Sequence, residues 1–211
     1  MTARPSLSVV RDALASLNAT GTRGIVLAAL VLLIGAPELL GGEALRVAGR
    51  FERAAIADGE VWRLLTGHFV HLDRAHALAN AAGAVLIWAL VGTAFSAGRW
   101  LAVVAFSIVG TSIGLWFVQP ELGWYVGASG FLHGLLVAGA LRNAFASEPL
   151  SRVVLGVVAV KLLWEQFVGP MSTTGDGVSV VVDAHLFGAL SGCAWALADR
   201  AWLGPRTGPA H

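Results

Sequence analysis

The chain has 211 residues, of which 56% are hydrophobic and 13% are charged, and its formal net charge is +1. Soluble domains contain about 25% charged residues, so this composition excludes an ordinary water-soluble domain and indicates a chain built for a lipid bilayer. The net charge gives no indication of a nucleic-acid partner, and the single cysteine, Cys193, excludes an internal disulfide and a cysteine-based metal site.

Six apolar segments are candidates for crossing the bilayer, which takes about 20 residues of helix. The predicted fold is therefore all-α: a polytopic membrane protein with a six-transmembrane-helix bundle over residues 23–203. A cytoplasmic N-terminal segment, 1–22, precedes the bundle, and a C-terminal tail, 204–211, follows it. The spans are predicted at about 23–41, 77–96, 100–118, 128–146, 152–169 and 178–200.

The distribution of arginines predicts the orientation of the bundle. The connection between the first two spans, about 42–76, is the longest, and the later connections are short. Cytoplasmic termini place eight arginines inside and five outside, and all five outside lie in the long first loop. The short loops follow the positive-inside rule, so both termini are predicted to be cytoplasmic. The inside set is Arg4, Arg11, Arg23, Arg99, Arg142, Arg152, Arg200 and Arg206; the outside set is Arg46, Arg50, Arg53, Arg63 and Arg74.

Four polar side chains lie near the predicted outer ends of separate spans. Ser129 begins the fourth span, His185 is about seven residues into the sixth, and His76 and Asn80 occupy the first turns of the second. At 1.5 Å per residue all four lie within roughly 10 Å of the outer end of their helix. Polar groups in hydrocarbon are costly and therefore functional candidates. A serine and a histidine at one depth are the minimum components of an acyl-transfer enzyme.

The local spacing of these residues supports the same interpretation. His76 and Asn80 share a helix face, where two donors can bind a developing oxyanion, and Asp73 is the expected N-cap of that helix. Ser129 lies at a helix N-terminus, where unpaired backbone N–H groups favour negative charge. Small residues let helices approach closely. Two glycines four residues apart occur in each of the fourth and sixth spans: Gly130 with Gly134, and Gly188 with Gly192.

These motifs resemble the rhomboid intramembrane serine proteases, and the resemblance runs from about Trp62 to Gly192. Four elements in order are more specific than any one of them. They are Trp62-Arg63 in the first loop, His76 and Asn80 opening the second span, Gly127-Ala128-Ser129-Gly130 opening the fourth, and Ala184-His185 with Gly188 and Gly192 in the sixth.

The resemblance implies the roles of these residues. Ser129 would be the nucleophile and His185 the general base, with His76, Asn80 and the backbone N–H of Ser129 as the oxyanion hole. No third carboxylate is expected, since Asp183 is only two residues from His185 and faces elsewhere on the helix. No metal or cofactor is expected. The implied substrates are single-span membrane proteins cut near small residues at the outer face of the bilayer.

One departure points to a branch of the family. In many rhomboids a tyrosine stands four residues after the serine and packs against the histidine, whereas this chain has His133. Together with the compact size and the sequence 161–166, this substitution resembles the rhombosortase branch. That branch is associated with bacterial proteins bearing a C-terminal Gly-Gly motif, a membrane helix and a basic tail. It implies a multi-pass protein of the bacterial inner membrane; the oligomeric state is not predicted.

Other interpretations of these residues remain open. Ser129 could be a packing serine, His133 could be the base, and Trp62-Arg63 could be an interfacial anchor rather than a brace for the first loop. Lys161 and Glu165, four residues apart, are expected to neutralise one another. The chain could also be an inactive rhomboid-like protein that binds client helices. A small transporter is a weaker alternative, because inverted repeats and broken helices are not evident. Its ion relay would consist of His76, His133, Lys161, Glu165 and His185.

Overall fold

A computed structural model describes residues 7–171 and 181–203. The predicted tail 204–211 and the first six residues of the predicted N-terminal segment lie outside this part of the chain. Within it the secondary structure consists of ten helices and two strands of two residues each. In chain order these are α1 (Leu7–Ser16), α2 (Gly21–Leu40), α3 (Glu43–Gly49), β1 (Phe51–Glu52), α4 (Arg53–Ala57), α5 (Arg63–Thr66), α6 (Arg74–Val91), α7 (Ala97–Val118), β2 (Trp124–Tyr125), α8 (Ser129–Phe145), α9 (Pro149–Phe167) and α10 (Val182–Leu203).

The long helices α2, α6, α7, α8, α9 and α10 agree with the predicted spans to within about five residues at the ends that the structure describes. The predicted residues 178–180 of the last span lie outside the described part. Among the described residues, α2, α6 and α7 are long and apolar enough to cross a membrane by length and composition alone. Helix α8 has 17 residues, and α9 and α10 contain charged side chains that face the bundle or its ends. The all-α membrane fold is confirmed.

Helix α8 lies at the centre of the bundle and packs most closely against α10, because glycines remove side chains from both surfaces. A Cβ atom at Gly134 would lie 2.7 Å from the carbonyl oxygen of Gly188, and one at Gly192 would meet the backbone of Gly134. Backbone cannot move aside as a flexible side chain can, so the two helices approach this closely only with glycine at these positions.

The first loop folds into short elements that are held against the end of α7. Strand β1 pairs with β2 in antiparallel register, with Phe51 opposite Tyr125. The guanidinium group of Arg53 donates hydrogen bonds at 2.8–3.0 Å to four carbonyls, those of Leu115, Trp116, Gln119 and Leu122. A cation is favourable there because the last carbonyls of a helix lack intrahelical partners. This loop therefore fixes the segment that leads into α8.

Two buried histidines join the same loop to the bundle. The Nε2 atom of His68 lies 3.0 Å from the hydroxyl oxygen of Ser112, which itself donates to the carbonyl of Leu64. Nε2 of His71 accepts a hydrogen bond from the backbone N–H of Ala128, one residue before α8. Burial lowers the pKa of both His68 and His71 to about 3, so both rings are neutral near pH 7.

Candidate active site

Ser129 is the first residue of α8, and its approach segment requires glycine. Gly127 has φ +118°, and a Cβ atom there would lie 2.9 Å from the ring of His76. The hydroxyl of Tyr125 donates to the carbonyl of Gly127 at 2.5 Å and holds this turn in place. Because the first N–H groups of a helix have no intrahelical acceptor, the backbone N–H of Ser129 is available to a ligand. The Ser129 side chain is partly exposed.

The structure brings His185 to Ser129 from a different helix. His185 is the fourth residue of α10, and its Nε2 atom lies 2.9 Å from the Ser129 hydroxyl oxygen. The imidazole is 5% exposed, so the protein holds the ring on nearly all sides. The glycines at which α8 and α10 approach each other, among them Gly134 and Gly188, follow Ser129 and His185 along the two helices. A histidine nitrogen at this distance can accept the hydroxyl proton.

A carboxylate lies on the other side of His185, contrary to the expectation that none would be present. The Oε2 atom of Glu165, on α9, is 2.9 Å from Nδ1 of His185. The predicted pairing of Lys161 with Glu165 is confirmed, because Lys161 Nζ donates to the same oxygen at 2.6 Å. Lys161 Nζ is also 3.3 Å from His185 Nδ1. The interaction is thus a three-membered cluster. One signal was present in the sequence: Glu165 lies near the outer end of its span, level with His185.

His133 contacts the pair without facing the serine hydroxyl. Its ring stacks on that of His185, with centroids 4.3 Å apart and planes inclined by 21°. Its Nδ1 atom donates to the backbone carbonyl of Ser129 at 2.7 Å. A neutral histidine has one N–H, so this bond assigns the ring proton to Nδ1.

The two candidate oxyanion donors lie beside Ser129. The backbone N–H of Leu72 approaches Nδ1 of His76 at 3.5 Å, which leaves the proton on Nε2, the atom near Gly127. The predicted N-cap is confirmed, because the Asp73 carboxylate accepts a hydrogen bond from the backbone N–H of His76 at 2.7 Å. The Asn80 amide donates to the His76 carbonyl at 3.0 Å. Since that amide has two hydrogens, one remains for a ligand.

Two cavities are bordered by Ser129. One, of about 230 Å³, is bordered by His76, β2 and Ser129. The other, of about 170 Å³, is bordered by Asn80, His133 and Ser129. An extended peptide that passes the hydroxyl could use both. Within the described part of the chain no group of three or more histidine, cysteine, aspartate or glutamate side chains is arranged to hold a metal ion.

Trp62 and Arg63 do not border the cavities at Ser129. Arg63 donates to the backbone carbonyls of Val47 and Arg50 at 2.9 and 3.0 Å and pairs with Glu60 at 2.6 Å. These bonds join separate short helices of the first loop, as the brace interpretation expects. Trp62 is 53% exposed and makes no such bond in the described part. His71, which holds the residue before Ser129, was not among the predicted site residues.

The sequence of this chain matches a known protein family. The family model of the Rhomboid domain matches residues 58–202. A Bacillus subtilis (strain 168) protein named "Putative rhomboid protease YdcA" is 29% identical to this chain over 141 residues. The matched segment covers 65% of this chain and 66% of that relative, so the similarity spans just under two thirds of the relative's length.

Proposed function

This chain belongs to the rhomboid family, and from that premise we propose that it is an integral membrane serine endopeptidase that uses Ser129 and His185. The observation that carries the proposal is the 2.9 Å approach of His185 Nε2 to the Ser129 hydroxyl. Serine in a membrane helix usually bonds to its own backbone or packs. Here the hydroxyl instead meets a histidine from another helix, beside two cavities.

The proposed reaction is hydrolysis through an acyl-enzyme. His185 Nε2 takes the proton of Ser129 as Oγ bonds to the scissile carbonyl carbon, whose oxygen becomes the oxyanion. The intermediate collapses, the C–N bond breaks, and His185 gives its proton to the departing amine. Water then loses a proton to His185 and attacks the ester, and the acid product leaves as Ser129 regains its proton. Each cycle consumes one water and restores both side chains.

We propose that the substrates are single-span membrane proteins cut near the outer face of the bilayer. The sequence similarity to rhombosortases, through His133 and residues 161–166, supports substrates with a C-terminal Gly-Gly motif ahead of the membrane helix. The arginine distribution supports cytoplasmic termini, and the resemblance to rhombosortases supports a bacterial inner membrane. Because hydrolysis consumes water, we propose a polar, water-accessible layer around Ser129.

A fluorophosphonate probe tests the nucleophile without knowledge of the substrate. We expect the purified protein in detergent or liposomes to be labelled on one residue, Ser129, and mass spectrometry of the labelled peptide identifies it. The unlabelled protein should cleave a fluorogenic single-span substrate. The labelled protein should not cleave it, because the probe occupies the nucleophile. An unlabelled, folded protein that cleaves no membrane substrate would instead favour the inactive client-binding alternative.

Loss of the oxyanion donors should slow the chemical step more than it weakens binding. We expect His76→Ala and Asn80→Ala each to lower kcat by roughly 10- to 1000-fold with a smaller change in KM, because these donors bind charge that develops only in the transition state. Steady-state kinetics on the fluorogenic substrate measures both constants. Wild-type kcat in both folded variants would assign these residues a structural role.

The two histidines at Ser129 should differ sharply on replacement by tyrosine. We expect His133→Tyr to keep activity within about tenfold of wild type, because an aromatic pair is worth about 0.5–1.5 kcal/mol and tyrosine can still stack on His185. His185→Tyr should have no activity, since it removes the base. The measurement is kcat/KM, with thermal unfolding as the folding control. If His133→Tyr is folded but as inactive as Ser129→Ala, the base must be reassigned to His133.

A further inference from the structure

The carboxylate of Glu165 occupies the position from which a third group would orient the base. Oε2 lies 2.9 Å from Nδ1 of His185, while Nε2 of the same ring lies 2.9 Å from the Ser129 hydroxyl. Both polar edges of the imidazole are therefore engaged, one by an acceptor and one by the nucleophile. Glu165 and His185 are each 5% exposed, so water has little access to compete for these bonds.

The chemistry of the contact determines where the ring proton lies. An ionised carboxylate has only lone pairs, so an unprotonated Nδ1 at 2.9 Å would repel it, whereas Nδ1–H donates to it. A neutral imidazole with its proton on Nδ1 has a free lone pair on Nε2, the nitrogen that faces the serine. That tautomer accepts the hydroxyl proton; the opposite one cannot.

Lys161 has two effects at this site. It balances the charge of the Glu165 carboxylate, and it competes for Nδ1 of His185. Its ammonium group bonds to Oε2 of Glu165 at 2.6 Å and so balances the charge within the bundle. It also lies 3.3 Å from His185 Nδ1. Without the carboxylate this ammonium could donate to Nδ1, which would force the ring proton onto Nε2 and towards Ser129. Two further contacts of the ring come from α8: His133 stacks on it, and the Ser129 hydroxyl faces its Nε2 atom.

We propose that Glu165 is a positioning residue that completes a Ser129–His185–Glu165 triad by holding the proton of His185 on Nδ1. The inference rests on the proposed function for its consequence in catalysis. Glu165 also stabilises the imidazolium that forms when Ser129 attacks.

Kinetics of Glu165→Gln is the first test. We expect kcat to fall by roughly 10²- to 10⁴-fold with KM little changed, as when the orienting acid of a serine protease triad is replaced by its amide. The matched control is Glu38→Gln, which removes another buried carboxylate, on α2, outside the site. We expect it to leave kcat within about twofold, as for most changes away from a site.

A double variant separates the triad from simple charge balance. If Glu165 only neutralises Lys161, then Glu165→Gln combined with Lys161→Gln removes both charges and should restore activity. Under the triad the double variant recovers only part of the loss. Removal of the ammonium takes away the donor that favours the wrong tautomer, but no carboxylate remains to hold the proton on Nδ1 or to stabilise the imidazolium. Recovery to near wild-type kcat overturns the proposal.

A spectroscopic measurement tests the tautomer independently of activity. In ¹⁵N-histidine-labelled protein, with the His185 signals assigned by their loss in His185→Ala, we expect a protonated Nδ1 and an unprotonated Nε2, and a changed distribution in Glu165→Gln. A wild-type ring protonated on Nε2 overturns the inference even if the protease is active. If the wild-type protein proves inactive, the proposed function fails, while this result still decides whether Glu165 positions His185.

Discussion

Ser129→Ala and His185→Ala are each expected to abolish cleavage of a membrane substrate, with a loss of kcat of at least roughly 10³-fold. The alanine at 129 has no nucleophile to form the acyl-enzyme. The alanine at 185 removes the group whose Nε2 lies 2.9 Å from the hydroxyl, so the serine cannot be deprotonated as it attacks. The measurement is turnover of the fluorogenic substrate by purified variants in detergent, with thermal unfolding to show that each remains folded.

Ser191→Ala is the matched control for the loss of a serine hydroxyl. Ser191 is on α10, and its hydroxyl donates to the carbonyl of Phe187 in its own helix at 2.7 Å. Such a bond has no part in the proposed chemistry, so this variant should keep kcat within about twofold. Full turnover by folded Ser129→Ala or His185→Ala would remove that residue from the mechanism, and a loss in Ser191→Ala would show that the assay responds to helix packing.

Gly188→Leu is expected to lower kcat/KM by at least roughly a hundredfold by moving α10 away from α8, since a displacement of about 1 Å at a catalytic pair can cost that much. A Cβ atom at Gly188 would lie 2.6 Å from the carbonyl carbon of Gly130. The backbone of α8 cannot rotate away from this contact as a side chain can, so the helices must separate. His185 is one turn above, so separation of the helices opens its contact with Ser129. We also expect a lower midpoint of thermal unfolding.

Gly156→Leu provides the comparison for this change. Gly156 is an exposed glycine on α9, and a Cβ atom there would meet nothing within 4 Å. The same substitution therefore adds an apolar side chain without moving a helix, and kcat/KM should stay within about threefold of wild type. Near-normal kcat/KM in Gly188→Leu would mean that close contact of α8 and α10 is not what aligns His185.

The sequence alone was sufficient to predict the all-α membrane fold and the contact of Ser129 with His185. The length of an apolar segment can be determined from that segment alone. A polar residue within it is energetically costly, so each one is recognised as a functional candidate without knowledge of the others. The glycine spacing in α8 and α10 added the one long-range inference, that these helices approach closely, and the contacts of Gly134 with Gly188 agree with it.

The tertiary structure alone decided which side chains surround His185 and how the first loop is held. Lys161 and Glu165 could satisfy each other four residues apart on any helix, so the sequence was consistent with a self-contained pair. Only the rotation of α9 against α10 turns Glu165 towards Nδ1 of His185. The pairing of β1 with β2 and the bonds of Arg53 likewise join residues about 60 to 75 positions apart in the chain. Such contacts depend on how the helices pack together, a property that no single segment contains.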